Sequence, residues 1–403
     1  MALLPLLLFT VHTVAEDRSA LRASCGGSAD VVSQVQRGDP VEIRFALSGD
    51  LGTCYKVSVA TGGKTVEGYL PANAITKMEA FEQGRQSAAG FDTPQAIRQD
   101  LESVRIQAHA GSQTGGKLEK ASALLSANQP AEALAILERL LQANPKDPGL
   151  LAMAGMAAYQ SDQAKSAASY WRASLDLAPN PAVERMLERA QREVDADRSG
   201  QKLVGIRVNF RYDDKTVTPE QAHSLAAIVE SEFTRVSEQL GCRAEERITA
   251  VIQSRDAYMR TTGAAEWSGG QYDGRIRVAL IESVPGPETH RAFAHEIVHA
   301  CLARTGSWPA WLHEGLAQKL SGQSAPAQER AAVRAEKGMP TLEQMGGSWS
   351  RLSARNAQLA YAKALLAAEL LYEHYGTAGV RSLLQNPQNL AAAAADLEAR
   401  MRQ

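Results

Sequence analysis

The stretch His295-Glu296-Ile297-Val298-His299 decides the fold of the C-terminal half of this chain. Two histidines four positions apart on a helix lie one turn from each other on one face, so their ring nitrogens can hold a single metal ion. The glutamate between them is offset around the helix axis, where it can face a water molecule beside the metal. The spacing therefore predicts a helix that carries a metal site, with His295 and His299 as ligands and Glu296 as a general base.

Helix boundaries flank this stretch. Pro287-Glu288-Thr289 place a proline and an acid in a first turn, and Gly306 is typical of the residue that follows a last turn. Ser307-Trp308-Pro309 then predicts the start of a second helix, with Ser307 as its N-cap. That second helix reads Trp311-Leu312-His313-Glu314-Gly315-Leu316-Ala317. A tight turn between the two helices would make them antiparallel neighbours.

The two helices together resemble those of the gluzincin metallopeptidases, in which H-E-x-x-H is followed by W-L-x-E-G-L-A and the second glutamate is the third zinc ligand. The resemblance implies a zincin-like α+β domain and one zinc ion per chain, held by His295, His299 and Glu314. It also implies hydrolysis of peptide bonds by a zinc-activated water, with Glu296 taking the proton. Many gluzincins carry an acidic residue one turn after the third ligand, where this chain has Gln318.

Two further polar side chains belong to this region. His313 adjoins Glu314, and because consecutive residues do not share a helix face, we expect His313 to be structural or to support a ligand. Tyr361 falls in a helix predicted over residues 359–376. By resemblance to gluzincins, a tyrosine or histidine from this region stabilises the tetrahedral intermediate. A core tyrosine is an equally good interpretation, so Tyr361 is only a candidate.

The resemblance leaves three functions open. Within the peptidases an endopeptidase is favoured, because residues 262–285 contain nothing like the Gly-x-Met-Glu-Asn strand of gluzincin aminopeptidases. A protein or peptide is then the expected substrate. The first alternative is a non-catalytic exported scaffold with an idle metal site, against which the intact Glu296 argues. The second is a zinc amidase that acts on cell-wall material.

Composition indicates a soluble protein of two or three domains. The chain has 403 residues, of which 44% are hydrophobic, and its formal net charge at pH 7 is −2. Without a basic surplus, nucleic acid is not expected as a partner. No transmembrane segment is expected, because no apolar run outside the extreme N-terminus is long enough to cross a bilayer.

Residues 1–15 are predicted to be a signal peptide. Leu3 to Val11 form a short apolar core, and Thr13-Val14-Ala15 place small residues before Glu16, so cleavage is expected after Ala15. A misassigned start or a buried helix is the alternative, since no lysine or arginine precedes the apolar core. The signal peptide predicts export, to the periplasm or out of the cell.

The four cysteines fit an exported protein. Cys25 and Cys54 share the N-terminal module, and Cys242 and Cys301 share the C-terminal one. Pairing within modules and buried free thiols both remain open. Cys301 lies two positions after His299, so we expect it to face away from the metal.

Residues 19–76 show the period of two that strands require. Residues 41–45 and 54–59 alternate, and Gly62-Gly63 between two such runs predicts a hairpin turn. The order RGDPVEI, CYKV, GYLPANAI is similar to that of bacterial Src-homology-3-like barrels. The similarity implies a small β-barrel that binds a cell-wall or protein ligand, or that only docks.

Residues 81–116 are polar and predict a linker with a helix, and residues 117–195 carry a repeat. At a spacing of 34, Ala133 recurs as Ala167, Leu137 as Trp171, Leu141 as Leu175 and Pro145 as Pro179. The segment resembles two tetratricopeptide repeats with a closing helix at residues 181–194, and Gly155 lies where such repeats prefer a small residue. Such a pair either captures a protein partner or serves as a scaffold.

Residues 200–403 are predicted to form the metallopeptidase domain of this multidomain α+β chain. Strands are expected at residues 203–210, 248–252 and 275–281, and a helix at residues 219–240. The alternating arginines of the third strand suit the edge of a sheet. By resemblance to zincins this strand lines the cleft, and its free edge could take a substrate backbone. Since every residue of the mechanism lies after residue 200, this fragment is expected to bind zinc and cleave peptides alone.

Overall fold

The computed structural model describes residues 12–23, 29–49, 52–78, 115–196, 200–243, 246–262, 269–280, 286–336, 338–347, 349 and 354–402. These residues form an N-terminal sheet module, an array of helices, and a C-terminal module in which helices cover a second sheet. The predicted multidomain α+β architecture is confirmed at this level. The predicted linker lies outside the described residues except for its last two positions, which begin the first helix.

Six strands form the N-terminal module, in the sheet order β1-β4-β5-β6-β2-β3. They are β1 His12–Thr13, β2 Ser19–Arg22, β3 Val31–Val35, β4 Pro40–Gly49, β5 Gly52–Thr61 and β6 Lys64–Pro71. Gly62 and Gly63 join β5 to β6 with φ of 55° and 75°, a conformation that glycine adopts without strain. The predicted hairpin is confirmed. Alternate side chains, among them Val57, Val59 and Leu70, form the core.

This module begins earlier than the sequence predicts. Residues 12 and 13 pair with β4, and the side chain of Val14 is fully buried. The Ala15 N–H donates to the Ala74 carbonyl at 2.9 Å. Cleavage after Ala15 would remove β1 and the Val14 core contact. The predicted cleavage point and the boundary at residue 19 stay predictions.

Five helices form the array. They are α1 Gly115–Ser126, α2 Pro130–Ala143, α3 Pro148–Gln160, α4 Ala164–Leu175 and α5 Pro181–Ala196. A Cβ at Gly155 would lie 2.4 Å from the Trp171 ring, so only glycine lets α3 and α4 approach this closely. The Trp171 indole N–H donates to the Ala152 carbonyl at 3.0 Å. Two helix pairs and a closing helix are therefore present, as predicted.

The C-terminal module contains a five-stranded sheet in the order β10-β11-β9-β8-β7. The strands are β7 Gly200–Val204, β8 Val208–Asp213, β9 Ile248–Ser254, β10 Gly270–Tyr272 and β11 Ile276–Leu280. The three central strands are parallel, and the two outer strands are antiparallel to their neighbours. The strand predicted at residues 203–210 is a hairpin instead, because the Glu230 carboxylate accepts the N–H groups of Arg207 and Val208 and holds a turn.

Seven helices complete the described part of this module. They are α6 Pro219–Leu240, α7 Arg255–Thr262, α8 Pro287–Thr305, α9 Ala310–Leu320, α10 Ala327–Ala335, α11 Ala354–Gln385 and α12 Leu390–Met401. A capping box of Thr218 and Gln221 starts α6, and Gly376 interrupts α11. None of the described helices has the length and apolar character that a bilayer crossing requires.

A disulfide joins Cys242 to Cys301 and so ties the end of α6 to α8. The pairing within the C-terminal module is confirmed. Cys54 is also disulfide-bonded, and Cys25 lies outside the described residues. The Cys301 sulfur is therefore bonded away from the face that carries His299.

The two faces of the C-terminal sheet differ in chemistry. One face presents apolar side chains such as Phe210, Ile252 and Val278 to the core under α6 and α8. The other presents Arg277 of β11 and Arg275, which lies just before this strand. Both are at most 1% exposed and pair with the repeat helix α5. The prediction that these arginines mark an edge strand is wrong, since β11 lies inside the sheet and another module covers its polar face.

Candidate metal centre

The two helices α8 and α9 carry the predicted metal ligands. Pro287 occupies the first turn of α8 after the N-cap Gly286, and α8 ends before Gly306, as the sequence predicts. The N-cap of α9 is Pro309, not the predicted Ser307. Between the helices, the Trp308 indole donates to the Thr305 hydroxyl at 2.9 Å, which fixes the path of the turn. This short connection makes α8 and α9 packed neighbours.

Three side chains converge where the helices meet. The His295 Nε2 atom lies 3.7 Å from one Glu314 carboxylate oxygen, and the His299 Nε2 atom lies 3.8 Å from the other. One ligand atom from each of the three residues lies within 4.8 Å of the other two. These separations are too long for hydrogen bonds, so the side chains surround a common point instead of pairing directly.

This donor set fits zinc. Ligand atoms held about 2.1 Å from a tetrahedral zinc ion lie about 3.4 Å apart, close to the two N···O distances given above. Two imidazoles and one carboxylate form a recurrent set in catalytic zinc sites, which keep a fourth position for water. The site is partly open, since the His295 side chain is 23% exposed and that of Glu314 is 12% exposed.

The local electrostatics also favour a cation. Burial disfavours the charged form of His295, but the neighbouring Glu314 and Glu296 carboxylates outweigh that effect and raise the pKa of His295. The group of acids around the two imidazoles therefore stabilises positive charge. A divalent metal ion at this point would be stabilised by the same carboxylates, and His295 would then stay neutral.

Glu296 lies beside the three ligands with its side chain buried. Its Oε2 atom has no hydrogen-bond partner among the described residues. Burial raises the pKa of Glu296 to about 8, with His295 opposing the shift and the Glu314 and Asp273 carboxylates adding to it. A cation at the ligand set would lower this pKa, because positive charge favours the carboxylate. Burial therefore favours the protonated form of Glu296, and a bound cation would favour the carboxylate that a general base requires.

The edge strand β10 packs directly against Glu296. A Cβ at Gly270 would lie 2.7 Å from the Glu296 Oε1 atom and 2.8 Å from its Cγ atom, so glycine is required for this approach. The sequence does not predict this strand, because three residues are too short for a readable alternation. The Gly269-Gly270 pair before the arginine strand could have indicated it, because glycine in a strand often marks a place where another group approaches closely.

His313 supports a predicted ligand. Its Nδ1 atom lies 3.3 Å from the His299 Nδ1 atom, and its side chain is 1% exposed. If the His299 Nε2 atom faces a metal, the His299 Nδ1 atom carries the proton and donates it to His313. Partners of this kind fix the tautomer and the orientation of a metal-binding imidazole. The sequence left His313 between a structural and a supporting role, and the contact favours the supporting role.

Replacing His313 by alanine is expected to weaken zinc binding by about ten- to a hundredfold, the usual effect of losing such a partner. The reason is that His299 loses the acceptor that orients its ring. Competition with a chromophoric chelator measures the change. Asparagine offers an acceptor of similar reach, so His313→Asn is expected to retain most of the affinity. Equal affinities for wild type and the alanine variant would contradict this role.

Gln318 and Tyr361 contact each other beside the site. The Gln318 side-chain amide donates to the Glu314 carbonyl at 3.2 Å and to the Tyr361 carbonyl at 3.1 Å. Gln318 thus joins α9 to α11 through backbone groups. The Tyr361 ring packs edge to face on Trp349, with 5.1 Å between the ring centroids. A role for Tyr361 at the oxyanion stays a prediction.

Comparison with known families identifies one matched segment. Residues 115–157 match the tetratricopeptide repeat family, a span that covers α1, α2 and most of α3. The repeat resemblance is therefore confirmed for this part of the chain, and such repeats indicate protein–protein interaction. A comparison with curated proteins gives no match.

Proposed function

We propose that this chain is a zinc-dependent metallopeptidase, and within that class an endopeptidase. One observation carries the proposal: the side chains of His295, His299 and Glu314 converge on one point while the buried Glu296 lies beside them. This combination matches what peptide hydrolysis requires, namely a metal-binding set and a carboxylate of tuned pKa. The resemblance of the two helices to gluzincins supports the same class.

Each side chain has a definite task in this proposal. Zinc held by His295, His299 and Glu314 would polarise the scissile carbonyl and lower the pKa of the attacking water. The Oε2 atom of Glu296 has a lone pair available and takes up the proton of that water. Glu296 then delivers the proton to the nitrogen of the departing amine. His313 keeps the His299 ring in one tautomer.

Strand β10 borders the proposed active site, because Gly270 lies against Glu296. The arginine strand β11 cannot offer a free edge to a substrate backbone, since it pairs with β10 on one side and with β9 on the other. That part of the prediction is wrong.

The first test concerns the metal. We expect about one zinc ion per chain in the purified protein, as for any three-ligand catalytic site. His295→Ala and Glu314→Ala are each expected to lose most of that zinc, because two ligands bind far more weakly than three. Elemental analysis of the dialysed proteins measures this. His374→Ala is the matched control, since His374 is an exposed histidine of α11. Full zinc content in both ligand variants would refute the assignment.

A scaffold role is the second candidate, because the tetratricopeptide match indicates protein–protein interaction. In that case the metal site would be idle, and the repeats would recruit a partner. The two candidates differ in one measurement, the cleavage of unfolded polypeptides by zinc-loaded protein.

Export is part of the main proposal, and the Cys242–Cys301 disulfide supports an oxidising compartment.

A further inference from the structure

A buried network of charges joins the repeat helices to the C-terminal sheet. Glu193 of α5 accepts from both terminal nitrogens of Arg275, at 2.8 and 2.9 Å, and from Arg277 at 2.6 Å. Arg211 of β8 donates to the same carboxylate at 3.3 Å. None of these four residues is more than 3% exposed. The three guanidinium groups outweigh the effect of burial and lower the pKa of Glu193 to about 2, so it is a carboxylate near neutral pH.

The same network holds the turn between β10 and β11. Asp273, in this turn, accepts from the Arg277 Nε atom at 2.9 Å and from the Tyr159 hydroxyl of α3 at 3.1 Å. The turn backbone also packs on the end of α3, where a Cβ at Gly274 would lie 2.6 Å from the Gln160 Cγ atom. Two repeat helices therefore contact the hairpin at both its turn and its second strand.

The hairpin continues directly to the candidate active site. In the β10–β11 ladder, Gln271 lies opposite Arg277, and Gly270 lies opposite Val278. Arg277 belongs to the network, and its ladder partner Gln271 is the chain neighbour of Gly270, which lies against Glu296. All three residues of β10 pair with β11, and the turn joins the two strands. Whatever holds the turn and β11 therefore also positions β10.

We propose that the helical repeats act as a clamp on the β10–β11 hairpin, with Glu193 and Tyr159 as positioning residues for the strand that lies against Glu296. The catalytic part of this inference rests on the proposed peptidase function. In this arrangement one surface of the repeats binds the C-terminal sheet of the same chain. That contact sets where β10 lies relative to Glu296. A buried carboxylate shared by three arginines suits this task, because it has one low-energy arrangement.

The test compares two tyrosine variants of the full chain. Tyr159→Phe removes the hydroxyl that bonds Asp273 at 3.1 Å but keeps the ring that stacks on Arg275. Tyr170→Phe is the matched control, because its hydroxyl bonds Glu138 within the repeats, also at 3.1 Å. Amide hydrogen exchange of residues 270–273 reports on the hairpin, with strand β5 as an internal reference.

We expect exchange in the hairpin to be about tenfold faster in Tyr159→Phe than in wild type, as for the loss of a bond to a charged acceptor. Exchange in Tyr170→Phe should equal that of wild type. With unchanged zinc content, the kcat of Tyr159→Phe should fall by about tenfold, because a displaced β10 leaves the Glu296 carboxyl misplaced for proton transfer. A change confined to KM would mean that only binding is affected and would overturn the link to Glu296.

Equal hairpin exchange in the two variants would overturn the clamp itself. Faster exchange with an unchanged kcat would overturn the positioning role. If wild-type protein cleaves no polypeptide, the proposed peptidase function fails, and the exchange comparison still decides whether the repeats hold the hairpin. Glu193→Gln gives a second variant of the same network, for which a larger increase of hairpin exchange than in Tyr159→Phe is expected.

Discussion

Replacing Glu296 by glutamine is expected to lower peptidase activity by about a hundredfold or more, the usual scale of a lost general base. Glutamine has nearly the same shape as glutamate, but its amide cannot take up the proton of the attacking water. This difference acts at the Oε2 atom of Glu296, which is buried and has no hydrogen-bond partner among the described residues. Zinc content and fold should remain, because Glu296 is not one of the three converging ligands.

A zinc determination, a circular dichroism spectrum and a peptide-cleavage assay on the same preparation separate these effects. Glu288→Gln is the matched control, since Glu288 is a buried glutamate in the first turn of the same helix and pairs with Arg291. Its substitution should leave the rate close to that of wild type. A Glu296→Gln protein that is folded, zinc-loaded and as active as wild type would exclude Glu296 as the base.

Features that depend on local spacing were predictable from the sequence. The bounds of α6 and the ends of α8 follow from caps, prolines and glycines within a turn of each boundary. The convergence of His295 and His299 follows from the helical period alone. Glu314 required the resemblance to gluzincins, because its approach depends on how α9 turns back onto α8. The short turn after Gly306 makes that approach geometrically simple.

Features that depend on distant partners were not predictable. Arg275 and Arg277 alternate with apolar residues in the same way whether the polar face meets water or another module, so the pattern could not reveal Glu193. Strand β10 is held by its neighbours and is too short for a pattern of its own. His313 could be placed on its helix, but its contact with His299 depends on the packing of α9 against α8. In each case the deciding contact comes from another element of the folded chain.

The N-terminal boundary shows a similar limit. Residues 12–15 combine small and apolar side chains, which suit both the end of a leader and the first strand of a small sheet. These residues can form a strand only if β4 and Ile75 are available as partners, and in this structure they pair with both. Local composition therefore could not decide between the two assignments.

A fragment of residues 200–403 is expected to be poorly folded, in contrast to the autonomy that the sequence suggests. The fragment retains every proposed ligand, but Arg211, Arg275 and Arg277 lose the Glu193 carboxylate that they share. The repeat helices that cover this face are absent from the fragment, so the buried ion pairs and the packing of the hairpin on α3 and α5 are lost together. A further contact is lost where Glu246 accepts the first backbone N–H groups of α2.

Thermal unfolding and zinc content of three proteins test this expectation. A fragment of residues 115–403 keeps the repeats and lacks only the N-terminal module and the segment after it, so it should unfold near the temperature of the full chain and hold about one zinc ion. The fragment of residues 200–403 should unfold well below that temperature. If the short fragment is as stable and as zinc-loaded as the longer one, the buried network contributes nothing to the fold, and the C-terminal module is autonomous after all.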